Sequence, residues 1–220
     1  MQYTDYLPTI QQQDGKWINT VACPWMDRIA PTEKQKDGSV LCGQVHDPLA
    51  RILNGGISGN AGIFSNANDI GILAAALLNG GEYNGRRILS PLGVKTMCTV
   101  PRELTAFGRT PGWDIFSPYA SNKGDLFSPN TFGHTGYTGT SIIIDPDNDT
   151  AVILLVNAVH PEDRHSIVRL RSLVANAVAA SICPPAQVYT DHYYKRFLQF
   201  ETETPISPKD IVMVGNSLTE

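Results

Sequence analysis

The chain has 220 residues, 42% of them hydrophobic, with 17 basic against 21 acidic side chains and a net charge of −4. That is enough apolar content to pack a core, and it lacks the basic excess expected of a protein that holds nucleic acid or an anionic membrane surface. No run approaches the roughly 20 apolar residues of a membrane-spanning helix, and Met1-Gln2-Tyr3-Thr4-Asp5 has neither the basic nor the apolar region of a secretion signal.

Three segments stand out in the first third: Arg28-Ile29-Ala30-Pro31-Thr32-Glu33, Gly43-Gln44-Val45-His46-Asp47, and the glycine-rich Gly55-Gly56-Ile57-Ser58-Gly59-Asn60-Ala61-Gly62-Ile63-Phe64-Ser65. Ser65-Asn66 then supplies helix caps, with Asp69 in the first turn. Ile70, Leu73, Ala74, Leu77 and Leu78 recur at helical spacing until Gly80-Gly81 stops them. Residues 99 to 130 carry scattered Pro, Gly, Ser and Asn around Trp113, Phe116, Tyr119 and Phe127. So long an irregular stretch either borders a functional pocket or seals the domain with an aromatic cluster. Cys23, Cys42, Cys98 and Cys183 are widely scattered, without Cys-x-x-Cys spacing. A metal site is not expected. Free thiols are the first reading, and a disulfide stays open.

The next segment, Gly133-His134-Thr135-Gly136-Tyr137-Thr138-Gly139-Thr140, leads into two β-branched runs, Ser141 to Asp145 and Ala151 to Asn157, split by Pro146-Asp147-Asn148-Asp149. The turn residues between them predict an antiparallel hairpin, and its continuous apolarity predicts cover on both faces. The glycines allow close approach of a ligand to backbone N–H groups, as an oxyanion site requires. Beyond the hairpin, Pro161-Glu162-Asp163 reads as a helix start. Ile167, Leu170, Val174, Ala177 and Val178 form its apolar stripe, to be packed on the sheet.

The character changes at Cys183-Pro184-Pro185-Ala186. Residues 183–209 read as a linker with a short amphipathic helix, Tyr193, Phe197 and Phe200 on one face and Lys195-Arg196 on another. Residues 210–220 close the chain with an apolar strand, Ile211 to Val214, running into Gly215-Asn216-Ser217-Leu218.

His134-Thr135-Gly136 resembles the third active-site box of the serine β-lactamase and penicillin-binding-protein superfamily. Alone, the tripeptide fits a glycine-rich turn with a hydrogen-bonded histidine equally well. The three upstream segments extend the resemblance, in order, to serine hydrolases of the class C type. It implies an α/β (α+β type) fold, a β-lactamase/transpeptidase-like antiparallel sheet flanked by helices, over residues 1–182. It further implies that His134 orients or polarises the catalytic machinery, that Thr135 of the box binds a substrate carboxylate or carbonyl beside Gly136, and that the Tyr137 N–H donates to the oxyanion.

No serine is followed three residues later by lysine, and none of the eight tyrosines by asparagine two residues later. The Ser-x-x-Lys and Tyr-x-Asn boxes are therefore absent, and the expectation is a C-terminal portion of a longer hydrolase, truncated at its N-terminus, with Met1 an internal or late start. Ser58-Gly59-Asn60 fits a Ser-x-Asn box, but it sits in a loop that reads as structural. The last segment, Gly215-Asn216-Ser217-Leu218, resembles the first block of SGNH (GDSL-like) esterases, in which Ser217 would be the nucleophile of a second domain.

The resemblances together imply a hydrolase of esters or amides (a β-lactam, a peptidoglycan peptide or a simple ester) working through an acyl-serine. The substrate is then a small or cell-wall-derived molecule, no metal or organic cofactor is required, and the parent protein is periplasmic or otherwise extracytoplasmic in a bacterium. The alternative is a β-lactamase-like binding or scaffold module without catalysis.

Overall fold

The computed structural model describes residues 2–118, 120–163 and 166–182. In these residues the strands and α-helices run β1 (Asp5–Tyr6), β2 (Thr9–Gln11), β3 (Trp17–Asn19), β4 (Ile63–Phe64), α1 (Ala67–Leu78), β5 (Glu82–Tyr83), β6 (Arg86–Arg87), α2 (Pro91–Cys98), β7 (Phe132–Thr135), β8 (Ser141–Asp145), β9 (Thr150–Leu154) and α3 (Val168–Ser181). Contacts divide the chain into Met1–Ser181 and Ile182–Glu220. The linker and the terminal strand expected at 183–209 and 210–220 lie outside the described residues.

The hairpin forms where the sequence places it. β8 pairs antiparallel with β7 on one side (Phe132 opposite Ile144, His134 opposite Ile142) and with β9 on the other (Ile143 opposite Val152, Asp145 opposite Thr150). β8 is the central strand and carries the cover expected from its apolarity, Ile143 and Ile144 being buried. β9 is the edge strand and only half-buried, pairing ends at Leu154, and Leu155 is exposed. Its apolar sequence overstated its cover.

Helix α1 starts as its caps predict, the Asn66 side chain accepting the Asp69 N–H at 2.9 Å. Its far end closes on the diglycine, where Gly81 N–H donates to Ala76 O at 2.7 Å. Ala74 and Leu77 join Ile115, Phe132 and Ile144 in the buried core, so one helix face is packed against the sheet. Asp69 is buried for a separate reason, since its carboxylate accepts the Tyr3 N–H and the Thr4 hydroxyl at 2.7 and 2.8 Å and so ties the β1–β4 pair to the start of α1.

The last helix departs from its predicted form in both start and face. It begins at Val168, and Pro161-Glu162-Asp163 lie ahead of it. The preceding segment is held elsewhere: Lys34 N–H donates to Pro161 O at 2.9 Å, Asn157 Nδ2 donates to Pro31 O, and the Tyr137 hydroxyl donates to the Asp163 carboxylate. Tertiary hydrogen bonds thus take Pro161 and Asp163 of the segment that the sequence offered as a helix start. The buried face of α3 is centred on Arg171 and Ala175, neither of them in the predicted stripe. Of the predicted stripe, Ile167, Val174 and Val178 are half-buried while Leu170 and Ala177 are exposed, because the main partner of α3 is the polar turn Ala120–Lys123, with β9 a lesser neighbour. A polar partner selects a polar face.

Cys23, Cys42 and Cys98 are free thiols, and burial pushes the Cys98 thiol up to about 11. Cys183 lies outside the described residues.

Asp145, at the end of β8, is fully buried and anchors the loop before β7. It accepts from Ser128 Oγ (2.7 Å), Ser128 N–H (3.1 Å), Asp147 N–H (3.1 Å) and Asn148 Nδ2 (2.7 Å). Burial alone would raise its carboxyl, but the hydrogen bonds outweigh it and hold the group below the ordinary 3.8. A folded value below the unfolded one contributes stability above the unfolded value, lost as pH falls through the folded one. Asp145→Asn should therefore cost about 1.5–3 kcal/mol at neutral pH, the range for hydrogen bonds to a charged group. In urea titrations the gap between wild type and variant should close below about pH 4. An equal gap at pH 7 and pH 3 would show that the carboxylate charge contributes nothing.

Candidate active site

The site is built on β7 and the turn that follows it. Phe132 points into the core and packs on Trp113 with ring centroids 5.3 Å apart. One residue on, Gly133 pairs its N–H and C=O with the C=O and N–H of Asp114 at 3.0 and 2.9 Å. Because backbone groups alternate along a strand, those of Thr135 point to the same edge as those of Gly133, away from β8. Asp114 covers that edge at Gly133. The irregular stretch expected either to border a pocket or only to seal the domain does border the strand here: Asp114, Asn122 and Lys123 line a small cleft with Gly133, His134 and Thr135. Burial lowers the Lys123 ammonium, opposed by the nearby Asp145 charge.

His134 is exposed, with both ring nitrogens occupied: Nε2 is 3.1 Å from Arg109 Nη2 and Nδ1 is 3.0 Å from Thr135 O. Arg109 in turn forms an ion pair through Nε with the buried Asp114 Oδ1 at 2.9 Å, and the Ser117 hydroxyl donates to the same oxygen at 2.7 Å.

The turn from Gly136 to Thr140 is closed by Gly136 N–H to Thr140 O at 2.8 Å and Gly139 N–H to Gly136 O at 3.1 Å. Gly139 has φ of +122° and a side chain there would strike Val156 O, so only glycine fits. From α3, the buried Arg171 reaches under the turn and donates through Nη2 to Gly136 O at 2.8 Å and Thr140 O at 2.9 Å. Its Nη1 contacts Asn122 Oδ1 at 3.5 Å, and burial lowers its guanidinium below the ordinary arginine value. Both carbonyls are thereby drawn inward.

Tyr137 sits between these anchored ends. Its exposed ring stacks on His46 with centroids 5.8 Å apart and planes at 23°, and its hydroxyl, bonded to Asp163, is raised in pKa by that carboxylate. No hydrogen bond among the described residues takes up the Tyr137 N–H.

His134, Thr135, Gly136 and Tyr137 are thus contiguous on one strand end and turn. Ser58 is bonded elsewhere, to Asn54 Nδ2 at 3.0 Å and Asn60 Oδ1 at 2.5 Å, in the loop where the sequence placed it as structural. Ser217 lies outside the described residues. A recess of about 310 Å³, lined by Asp5–Pro8, Val21–Trp25 and Ile57, does not include the His134 strand. Arg109, Asp114, Arg171 and His46 were not identified from sequence as site neighbours. Each meets the strand or turn only through tertiary contact, and no spacing pattern signals it.

Residues 22–176 match the family model described as Beta-lactamase. The chain belongs to the beta-lactamase family. Its antiparallel sheet flanked by helices is the fold expected of that family. Among curated relatives of this beta-lactamase-family chain are proteins named "Putative D-alanyl-D-alanine carboxypeptidase". The one from Escherichia coli K12 is 42% identical over 124 residues, covering 56% of this chain and 28% of the relative. That from E. coli O157:H7 is 43% identical over 120 residues (54% and 27%), and that from Salmonella gallinarum 40% identical over 124 residues (56% and 28%). The matched segment is little more than a quarter of each of these relatives.

Proposed function

We propose that this chain supplies the oxyanion-side wall of a serine hydrolase that cleaves an ester or amide through an acyl-serine intermediate. The observation that carries the reading is the His134–Tyr137 strand end, with its anchored turn and a Tyr137 N–H that no hydrogen bond among the described residues takes up, inside a segment that matches the family. In this reading Thr135 holds a carboxylate or carbonyl of the substrate at the open edge of β7, the Tyr137 N–H donates to the developing oxyanion, and His134 orients or polarises the reacting groups. The relatives' name favours a peptide ending in D-alanyl-D-alanine as substrate, over a β-lactam or a simple ester. A protein acting on such a cell-wall peptide works in the periplasm or another extracytoplasmic space.

The nucleophile and its base belong, in this reading, to polypeptide upstream of Met1. Ser217 is the nucleophile of a separate SGNH-like unit begun at 210–220, a proposal that rests on Gly215-Asn216-Ser217-Leu218 alone. The non-catalytic module remains the second reading, favoured by the lack of Ser-x-x-Lys and Tyr-x-Asn in the chain. The DNA upstream discriminates: an in-frame pair of these boxes supports the enzyme, and an intact domain without them supports the module.

The 220-residue chain alone is expected to be inert towards nitrocefin, p-nitrophenyl acetate and a fluorophosphonate probe, because an oxyanion donor without nucleophile and base forms no acyl-enzyme. Reproducible turnover or a labelled serine would refute the assignment of the nucleophile to upstream sequence.

A further inference from the structure

The two nitrogens of His134 face partners with opposite and unalterable hydrogen-bonding character. Nδ1 lies 3.0 Å from Thr135 O, which only accepts, and Nε2 lies 3.1 Å from Arg109 Nη2, which only donates. One protonation state satisfies both contacts, the neutral ring with its proton on Nδ1. An Nε2–H ring would set two donors against each other at Arg109 and leave a lone pair against the carbonyl. An imidazolium would likewise oppose two donors at Arg109.

Arg109 is itself seated from behind. Its Nε is bonded to Asp114 Oδ1, the buried Asp114 also takes the Ser117 hydroxyl, and the Asp114 backbone is paired in both directions with Gly133, the residue before His134. Asp114 is therefore fixed to the same strand as the histidine, and the guanidinium spans the short distance from one side chain to the other.

We infer that Arg109, seated by Asp114, is a positioning residue that locks His134 as the neutral Nδ1–H tautomer. The inference rests on the reading of His134 as part of the acyl-transfer site and sharpens it. The imidazole is then not a proton donor through Nε2, and the fixed positive charge at this corner of the site is carried by Arg109. His134 acts as a held, polarised neutral group.

The test uses the full chain labelled with 15N in its histidine rings, observed by long-range 1H–15N correlation at about pH 8.5–9, where ordinary imidazoles are neutral. The His134 signals are identified by their loss in His134→Gln. Wild type should show protonated Nδ1 and unprotonated Nε2. Arg109→Met should move the ring towards the Nε2–H form that free histidine side chains prefer, Arg109→Lys should retain Nδ1–H because an ammonium also only donates, and Asp114→Asn should fall between. An Nε2–H ring in wild type overturns the inference, as does an unchanged Nδ1–H ring in a folded Arg109→Met. Should Arg109→Met fail to fold, the wild-type and Arg109→Lys spectra decide. No substrate enters this measurement, so an inactive complete protein with an Nδ1–H ring would refute the proposed function and leave the tautomer lock standing.

Discussion

Replacing Arg171 by alanine is expected to lower the stability of the folded unit by about 2–4 kcal/mol, the range for a large-to-small change in a buried site that also strips charged hydrogen bonds from half-buried carbonyls. The guanidinium is buried between α3, the Ala120–Lys123 turn and the Gly136–Thr140 turn, and it is the link by which helix and turn are bonded through Gly136 O and Thr140 O. Each carbonyl keeps one backbone donor, Gly139 N–H and Gly136 N–H respectively, so the turn should survive while its attachment to α3 is lost. Arg171→Lys keeps a cation and a stem of similar reach but only one nitrogen, and should cost roughly half as much. Midpoints of urea unfolding for the three proteins measure the effect. A change under about 0.5 kcal/mol for Arg171→Ala, the level of an ordinary surface substitution, would mean that α3 does not depend on this contact.

The second large effect is on activity, in the complete protein that the proposed function requires. His134→Ala should reduce kcat/KM for an ester or a D-alanyl peptide by about one to three orders of magnitude, the span for removing a proton-transfer or electrostatic contributor. Its side chain is exposed and, among the described residues, its hydrogen bonds go to Arg109 and the neighbouring carbonyl, so the same change should leave the urea midpoint nearly unmoved. The comparison of rate and stability is what separates a chemical role from a packing one. Unchanged activity in the folded variant would make His134 a strand residue with a satisfied ring and nothing more.

Local signals in the sequence carried far where the structure is local. The turn residues Pro146 to Asp149 placed the β8–β9 hairpin, and Asn66 with the diglycine at 80–81 bounded α1, because these features act through backbone conformation within a few residues. Periodicity failed on α3 for a definable reason. Leu170 and Ala177 belong to a stripe that would be buried throughout only against an apolar partner, and the helix instead turns Arg171 inward to the carbonyls of Gly136 and Thr140. The acidic residues at 162–163 failed similarly, Asp163 being taken by the Tyr137 hydroxyl from 26 residues away.

By itself, then, the order of residues determined the family resemblance, the glycine-bearing His134–Gly136 strand end, the hairpin behind it and the lack of a Ser-x-x-Lys pair within the chain, since all of these are contiguous in sequence. Tertiary structure alone decided what surrounds that strand. Arg109 is 25 residues from His134 and Arg171 is 35 from Gly136. A guanidinium is able to serve equally well on any exposed surface, and only the pairing of Asp114 with Gly133 and the packing of α3 beneath the turn bring these two to the site. Hydrogen bonds between distant residues depend on angles and distances set by the whole fold, and those leave no periodic trace in the chain.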